Sequence, residues 1–240
     1  FIFHNKKFSK LDFAATNKFE AVIFDLGLSS IQLDDMSRGF SFRSTDVLNM
    51  SMGQTEMSAQ KVLNTYSGSD LKDIIKTFGE EKEASKISKN IVIERSKNEI
   101  NTTDELVNII KKSKKKNYKK KIDESTKTFQ AIRIFVNKEV TELIEGIIKA
   151  TKILKPGGKL IIVSFHSIED KIIKFYFKNF SKNHSRTNKY LPEINSNLSL
   201  FNNYKNRVIK ATSDEIKKNP RSRSAKLRVA VRSEVEFKDP

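Results

Sequence analysis

The 240-residue chain has no cysteine, which excludes disulfides, thiolate zinc sites and cysteine nucleophiles. Its three histidines, His4, His166 and His184, are scattered, so no metal site is expected. No apolar run approaches the roughly 20 residues that span a bilayer. The opening FIFHNKKFSK is too short and too interrupted by charge to read as a signal peptide. A soluble, cytoplasmic protein without membrane partners is the expected class. Acidic residues are also scarce, 29 against 46 Lys and Arg for a formal charge of +17, which favours a polyanionic partner, either nucleic acid or an anionic membrane surface. Lys, Asn and Ile dominate throughout, however, so only part of the excess reads as functional. What is present, 37% apolar residues including 17 Phe, suffices for a folded core.

Short apolar runs at 1–4 (FIFH) and 19–25 (FEAVIFD) predict two strands flanking a helical turn around Lys10–Thr16. The second run stops at Asp25-Leu26-Gly27, the kind of strand exit at which α/β sheets bind ligands. Residues 28–53 mix Gly, Ser, Asp and Met without a period and predict a long ordered loop. From Ser58 to Lys116 the pattern is helical, with segments at 59–63, 69–78, 81–95 and 103–112; Asp70 opens the second, and Thr102 or Thr103 caps the last. An amphipathic stretch over 128–152 predicts one helix, halted by Lys155-Pro156-Gly157-Gly158 before the buried-type strand KLIIVSF. A helix over 168–180, an irregular Asn- and Ser-rich connection over 181–206 and the alternating strand KLRVAVRSEVEF complete an α/β order.

Several positions carry chemistry. Asp25, ending an apolar strand, either accepts hydrogen bonds from a cofactor or a bound amine, or caps the following turn. The run Arg38-Gly39-Phe40-Ser41-Phe42-Arg43 alternates cations with aromatics. That suits a base stacked on a ring with its phosphate held by guanidinium, or equally a loop anchored by its two Phe. Arg133 and the cluster Arg221, Arg223, Lys226 and Arg228 are further phosphate candidates, as is the basic run KKSKKKNYKKK at 111–121; each is otherwise a solvated face. His166 neighbours Ser164, Ser167 and Asp170, but these crowd one strand–helix junction and lack the nucleophile-elbow pattern, so a hydrolase is not expected. It is either a satisfied structural histidine or a contact to a bound nucleotide.

Four blocks, FDLGLSSIQLDDMSRGFSF, TFQAIRIFVNKE, LKPGGKLIIVSFHSIEDKIIK and NPRSRSAKLRVA, occur in this order. In sequence and succession they resemble the MraW (RsmH) family, and the likeness runs over nearly the whole chain, weakest in 54–120 and 181–215. The resemblance implies an α/β, class I (Rossmann-like) fold that uses S-adenosyl-L-methionine, without metal, to methylate N4 of a cytosine in 16S rRNA near the decoding centre. It implies that Phe8, Asp25 and Gln32 lie at the cofactor and that the small ribosomal subunit is the partner. Class I enzymes hold the cofactor with a Gly-rich turn after the first strand, and the family's Gly-Gly-His-Ser segment does not occur here. About 70 to 80 residues carrying the first strands of the sheet are therefore expected upstream of this chain, and its cofactor side is expected to be incomplete.

Methyl transfer to a cytosine N4 asks for acceptors for the amine hydrogens and for exact positioning more than for a strong base. Asp25, Ser29, Ser30 and His166 are the polar candidates at strand exits, and Arg38, Phe40, Phe42, Arg43, Arg133, Arg221 and Arg223 are the candidates for RNA. Asp25-Leu26-Gly27-Leu28-Ser29-Ser30 departs from the Asp/Asn-Pro-Pro-aromatic segment of many amino-methyltransferases. Ile31 stands where the family usually has Pro, and Asn49-Met50-Ser51-Met52-Gly53 replaces its usual Asp-Met-Arg-Met-Asp. The expected organisation is a methyltransferase core over 1–53 and 125–240, interrupted at 54–124 by a helical insertion for substrate recognition. The competing class is a non-catalytic RNA-binding protein on the same scaffold.

Overall fold

Strand β1 (Phe19–Asp25) forms where FEAVIFD predicts it and pairs in parallel with β2 (Leu154–Ser164), Val22 opposite Leu160 and Asp25 opposite Val163. This computed structural model describes residues 2–10, 18–41, 46–53, 57–114, 123–181, 199–202 and 204–237. Two short strands, β3 (Phe201–Asn202) and β4 (Ile209–Lys210), and the last strand β5 (Lys226–Arg232) complete a mixed sheet of order β1-β2-β5-β3, with β4 also on β5. β5 runs antiparallel to β2, β3 and β4. The fold is α/β, in keeping with a class I methyltransferase.

The chain divides into two compact units, one of residues 1–27 and 140–240, the other of residues 28–139. In the first, Leu160 and Ile162 of β2 are fully buried. They form a core with Leu143, Ile147 and Ala150 of α7 (Glu139–Ile153) and Ile173 and Phe177 of α8 (Ser167–Asn179). The alternate residues Ile161 and Val163 are half-buried, the period-two pattern of a sheet covered more fully on one face. Phe8 opens a short 3-10 turn and packs in the same core, its ring 5.3 Å from that of Phe24. It lies against Gly146 of α7, where an added Cβ would come within 2.5 Å of the ring.

The second unit is helical: α1 (Ser30–Asp34), α2 (Ala59–Thr65), α3 (Gly68–Gly79), α4 (Ala84–Arg95), α5 (Thr103–Ser113) and α6 (Thr126–Asn137). Leu63, Leu71, Ile75, Ile87, Ile91, Leu106, Ile110 and Ile132 make its core. Thr102 caps α5 in a capping box with Glu105, whereas α3 is capped by Ser67 and Asp70 sits three residues in. Lys114 and Glu81 form a buried ion pair at 2.6 Å.

Three sequence expectations are corrected. Residues 2–4 form no strand and are exposed; with no sheet partner, FIFH gains nothing from its strand pattern. The single helix over 128–152 is two, α6 and α7, because Lys138 adopts a left-handed conformation (φ 53°) that ends the first ladder. The loop over 28–53 contains α1, a 3-10 turn at Met36–Arg38 and a bridge from Val47 to Thr102. The packing units part at 27/28 and 139/140, not at the compositional lines 53/54 and 124/125, because Leu48, Met50 and the buried face of α6 all enter the helical core. The predicted turn beyond Lys10 and the basic run from Lys115 to Lys121 lie outside the described residues.

Candidate functional site

Because β1 and β2 are parallel, their carboxyl ends share one edge of the sheet. Asp25 is the last residue of β1 and is exposed. Among the described residues its carboxylate accepts no hydrogen bond, including from the turn that follows. Leu26 extends the pairing by one bond to the Val163 carbonyl (3.1 Å). Gly27 then turns the chain at φ +89°, a conformation that costs other residues energy but not glycine. Asp25 is thus presented at a strand end with its acceptor oxygens open.

β2 reaches the same edge and passes directly into α8. His166 is the N-cap of that helix, Nδ1 accepting from the Glu169 amide at 3.4 Å, while Glu169 Oε2 accepts from the Phe165 and His166 amides at 2.9 and 3.3 Å. His166 Nε2 lies 3.1 Å from Glu169 Oε1 but off a hydrogen-bonding direction, and is left without a hydrogen-bond partner among the described residues. One reading of His166 is therefore met in part: it is a structural cap, yet not fully satisfied.

β5 enters this edge from the opposite direction, so its first residue, Lys226, lies opposite Ser164, the last of β2. Lys210 of β4 is in turn opposite Lys226. Asp170, in the first turn of α8, accepts from Lys226 Nζ at 2.9 Å and Arg228 Nε at 2.7 Å, and Arg228 also donates to the Tyr204 hydroxyl at 2.8 Å. Burial opposes ionisation of Asp170, but the hydrogen bonds and charges of Arg228 and Lys226 outweigh it and hold its carboxyl below the usual range. Arg221 and Arg223 stand exposed in the 3-10 turn Pro220–Ser224 that leads into β5.

The remaining candidates belong to the helical unit. Ser29 and Gln32 are joined in a reciprocal capping box at the start of α1, Gln32 donating its amide to Ser29 Oγ (3.2 Å) and accepting at Oε1 from the Ser29 amide (3.0 Å). Ser30 is the first residue of α1; its side chain, like all of Phe42 and Arg43, lies outside the described residues. Arg38 donates to the Ser51 carbonyl at 2.8 Å and lies over the Phe40 ring at 5.3 Å. Phe40 is only 7% exposed and belongs to the core, so its ring anchors the loop and has no open face for a base. Arg133 is gripped by both oxygens of Glu139, at 2.8 and 2.9 Å. A guanidinium already paired in this way must break that fork before holding a phosphate.

A family model described as the MraW methylase family matches residues 1–233. The chain belongs to the MraW methylase family. Its relatives in that family include ribosomal RNA small subunit methyltransferase H of Ehrlichia ruminantium, 42% identical over 236 residues, which span 96% of this chain and 76% of the relative. The protein of the same name from Bartonella grahamii is 41% identical over 230 residues, 96% of this chain and 69% of that one. That from Sinorhizobium fredii is 39% identical over 230 residues, 95% and 67%.

As a member of this family, the chain carries its polar strand exits, Asp25 and His166, on one edge of one sheet. Lys210 was not among the sequence candidates, and Lys226 was grouped only with its chain neighbours. Their meeting with His166 depends on antiparallel pairing across long intervals, for which no local signal exists. Among the described residues no helix is long and apolar enough to cross a membrane.

Proposed function

We propose that the chain carries the substrate-facing part of an S-adenosylmethionine-dependent methyltransferase acting on N4 of a cytosine in small-subunit rRNA near the decoding centre. The observation that carries this reading is Asp25, an open carboxylate at the carboxyl end of a parallel strand, in a chain of the MraW methylase family. S-Adenosylmethionine, when bound, supplies an electrophilic methyl group on a sulfonium. Asp25 is suited to it and to the amine, since an acceptor with free lone pairs can hold donor groups there. Phe8, half-buried beside Phe24, offers an apolar ring of the kind that packs on adenine. Gln32 keeps its side-chain amide nitrogen for a ligand, because its oxygen serves the cap.

Asp25 accepts one N4 hydrogen, which withdraws that hydrogen from the ring plane and orients the nitrogen lone pair; the acceptor need not be a strong base. Ser29, Ser30 and His166 complete the polar surroundings, and the helical unit recognises the rRNA. The cytosine has to leave its stack to reach such an edge. Small ribosomal subunits incubated with the protein and labelled S-adenosylmethionine should gain N4-methylcytidine, detected by nucleoside mass spectrometry. Asp25→Asn should reduce the rate by about 10²-fold or more, the scale of losing one oriented polar group; an unchanged rate would remove Asp25 from the site. Lack of any saturable S-adenosylmethionine binding by calorimetry would end the enzyme reading.

A further inference from the structure

At the carboxyl edge of β2 the first unit has an open cleft of about 270 Å³. Its walls are His166 and Ser167 at the start of α8, Lys210 of β4, and Arg223, Ser224 and Lys226 at the entrance to β5. The volume lies below the roughly 300–1,000 Å³ of pockets that enclose drug-sized ligands, so the cleft fits a small charged group better than a whole nucleoside. Three cations line it. Asp170 compensates Lys226 together with Arg228, but among the described residues neither Lys210 nor Arg223 has a carboxylate partner.

Two further features point the same way. α8 is 13 residues long, and the first amides of a helix have no intrahelical acceptor, so its start favours an anion. Glu169 and Asp170 in that first turn do not cancel this, because Glu169 is turned back onto the Phe165 and His166 amides and Asp170 onto β5. The His166 side chain, nine-tenths buried on the cleft wall, retains an Nε2 without a hydrogen-bond partner. Fixed donors around two uncompensated cations form an anion site whose shape is set by the sheet and not by mobile side chains alone.

We infer that this cleft binds one backbone phosphate of single-stranded RNA through Arg223, Lys210 and the start of α8. The inference rests on the proposed RNA substrate and adds a specific contact to it. A phosphate held here lies on the same sheet edge as Asp25, which would fix the register of a strand whose base is presented to that edge.

The test uses the full 240-residue chain and a fluorescent single-stranded oligoribonucleotide, with affinity followed over a range of salt. The double variant Arg223→Gln/Lys210→Gln should bind severalfold more weakly, and its slope of log affinity against log salt should be shallower by about 0.7 for the lost phosphate contact. The control Lys152→Gln/Lys155→Gln removes two exposed cations where β2 begins and should lose less. Equal losses in both would reveal diffuse charge attraction and overturn the cleft assignment while leaving the RNA reading intact. No RNA binding by the unsubstituted chain overturns both. In a second arm, the Ile168 amide resonance is followed with inorganic phosphate alone. Saturation by phosphate that the oligoribonucleotide cannot displace would make this a free-phosphate site and overturn the inference.

Discussion

Asp170 illustrates how one carboxylate can organise a sheet edge. It holds Arg228, which is 5% exposed, and Lys226. Replacing it leaves a buried guanidinium with only the Tyr204 and Asn206 oxygens. Removing one partner of a buried pair costs about 3–5 kcal/mol, so Asp170→Asn should lower the urea midpoint substantially; a change within error would show that the other acceptors suffice. The pH dependence follows from the depressed folded-state pKa of Asp170. Its stabilisation is complete above the unfolded-state pKa, near 3.9, and is lost as pH falls through the lower folded-state value. Asp170→Asn should therefore show a flatter acid limb than the parent in pH-dependent unfolding. His166 and Arg133 carry a related lesson at this scale: side chains prominent in the sequence as ligands also have structural engagements, one as a cap and the other in a fork with Glu139.

Among the elements, the α3–α6 crossing depends on a close approach. A Cβ at Gly79 would stand 2.6 Å from the Lys127 carbonyl and 3.2 Å from Ala131 Cβ. In an unobstructed helix, Gly→Ala gains about 1 kcal/mol from propensity, but overpacking against backbone costs about 1–3 kcal/mol. The clash should win, and Gly79→Ala should melt at a lower temperature than the parent; a higher melting temperature would mean the helices separate freely. Gly53→Ala, with nothing within 4 Å of the new Cβ, serves as the comparison. The elements themselves were largely legible: β1 matches FEAVIFD, α5 its capping signal and α8 the segment predicted over 168–180. The break at Lys138 was not, because a lysine gives no warning of a left-handed conformation, unlike the glycine or asparagine common there.

At the scale of the whole molecule, the charge of +17 sets the expected mode of RNA binding. Affinity for single-stranded RNA should fall as salt rises, with a slope of about −0.7 per phosphate neutralised. A salt-independent affinity would exclude phosphate contacts, including those of Lys210 and Arg223. Family, element order and the prominence of Asp25 followed from the sequence alone, because they rest on local patterns: an apolar run ending in a carboxylate, caps, and contiguous blocks. Which residues share an edge was decided only by tertiary structure. Lys210 meets Lys226, and Lys226 meets the end of β2, through strand registers that hydrogen bonds set across 16 and 62 residues of chain. The same packing, not composition, drew Leu48, Met50 and α6 into the helical core, because buried contact area is counted in three dimensions and leaves no mark at a single position.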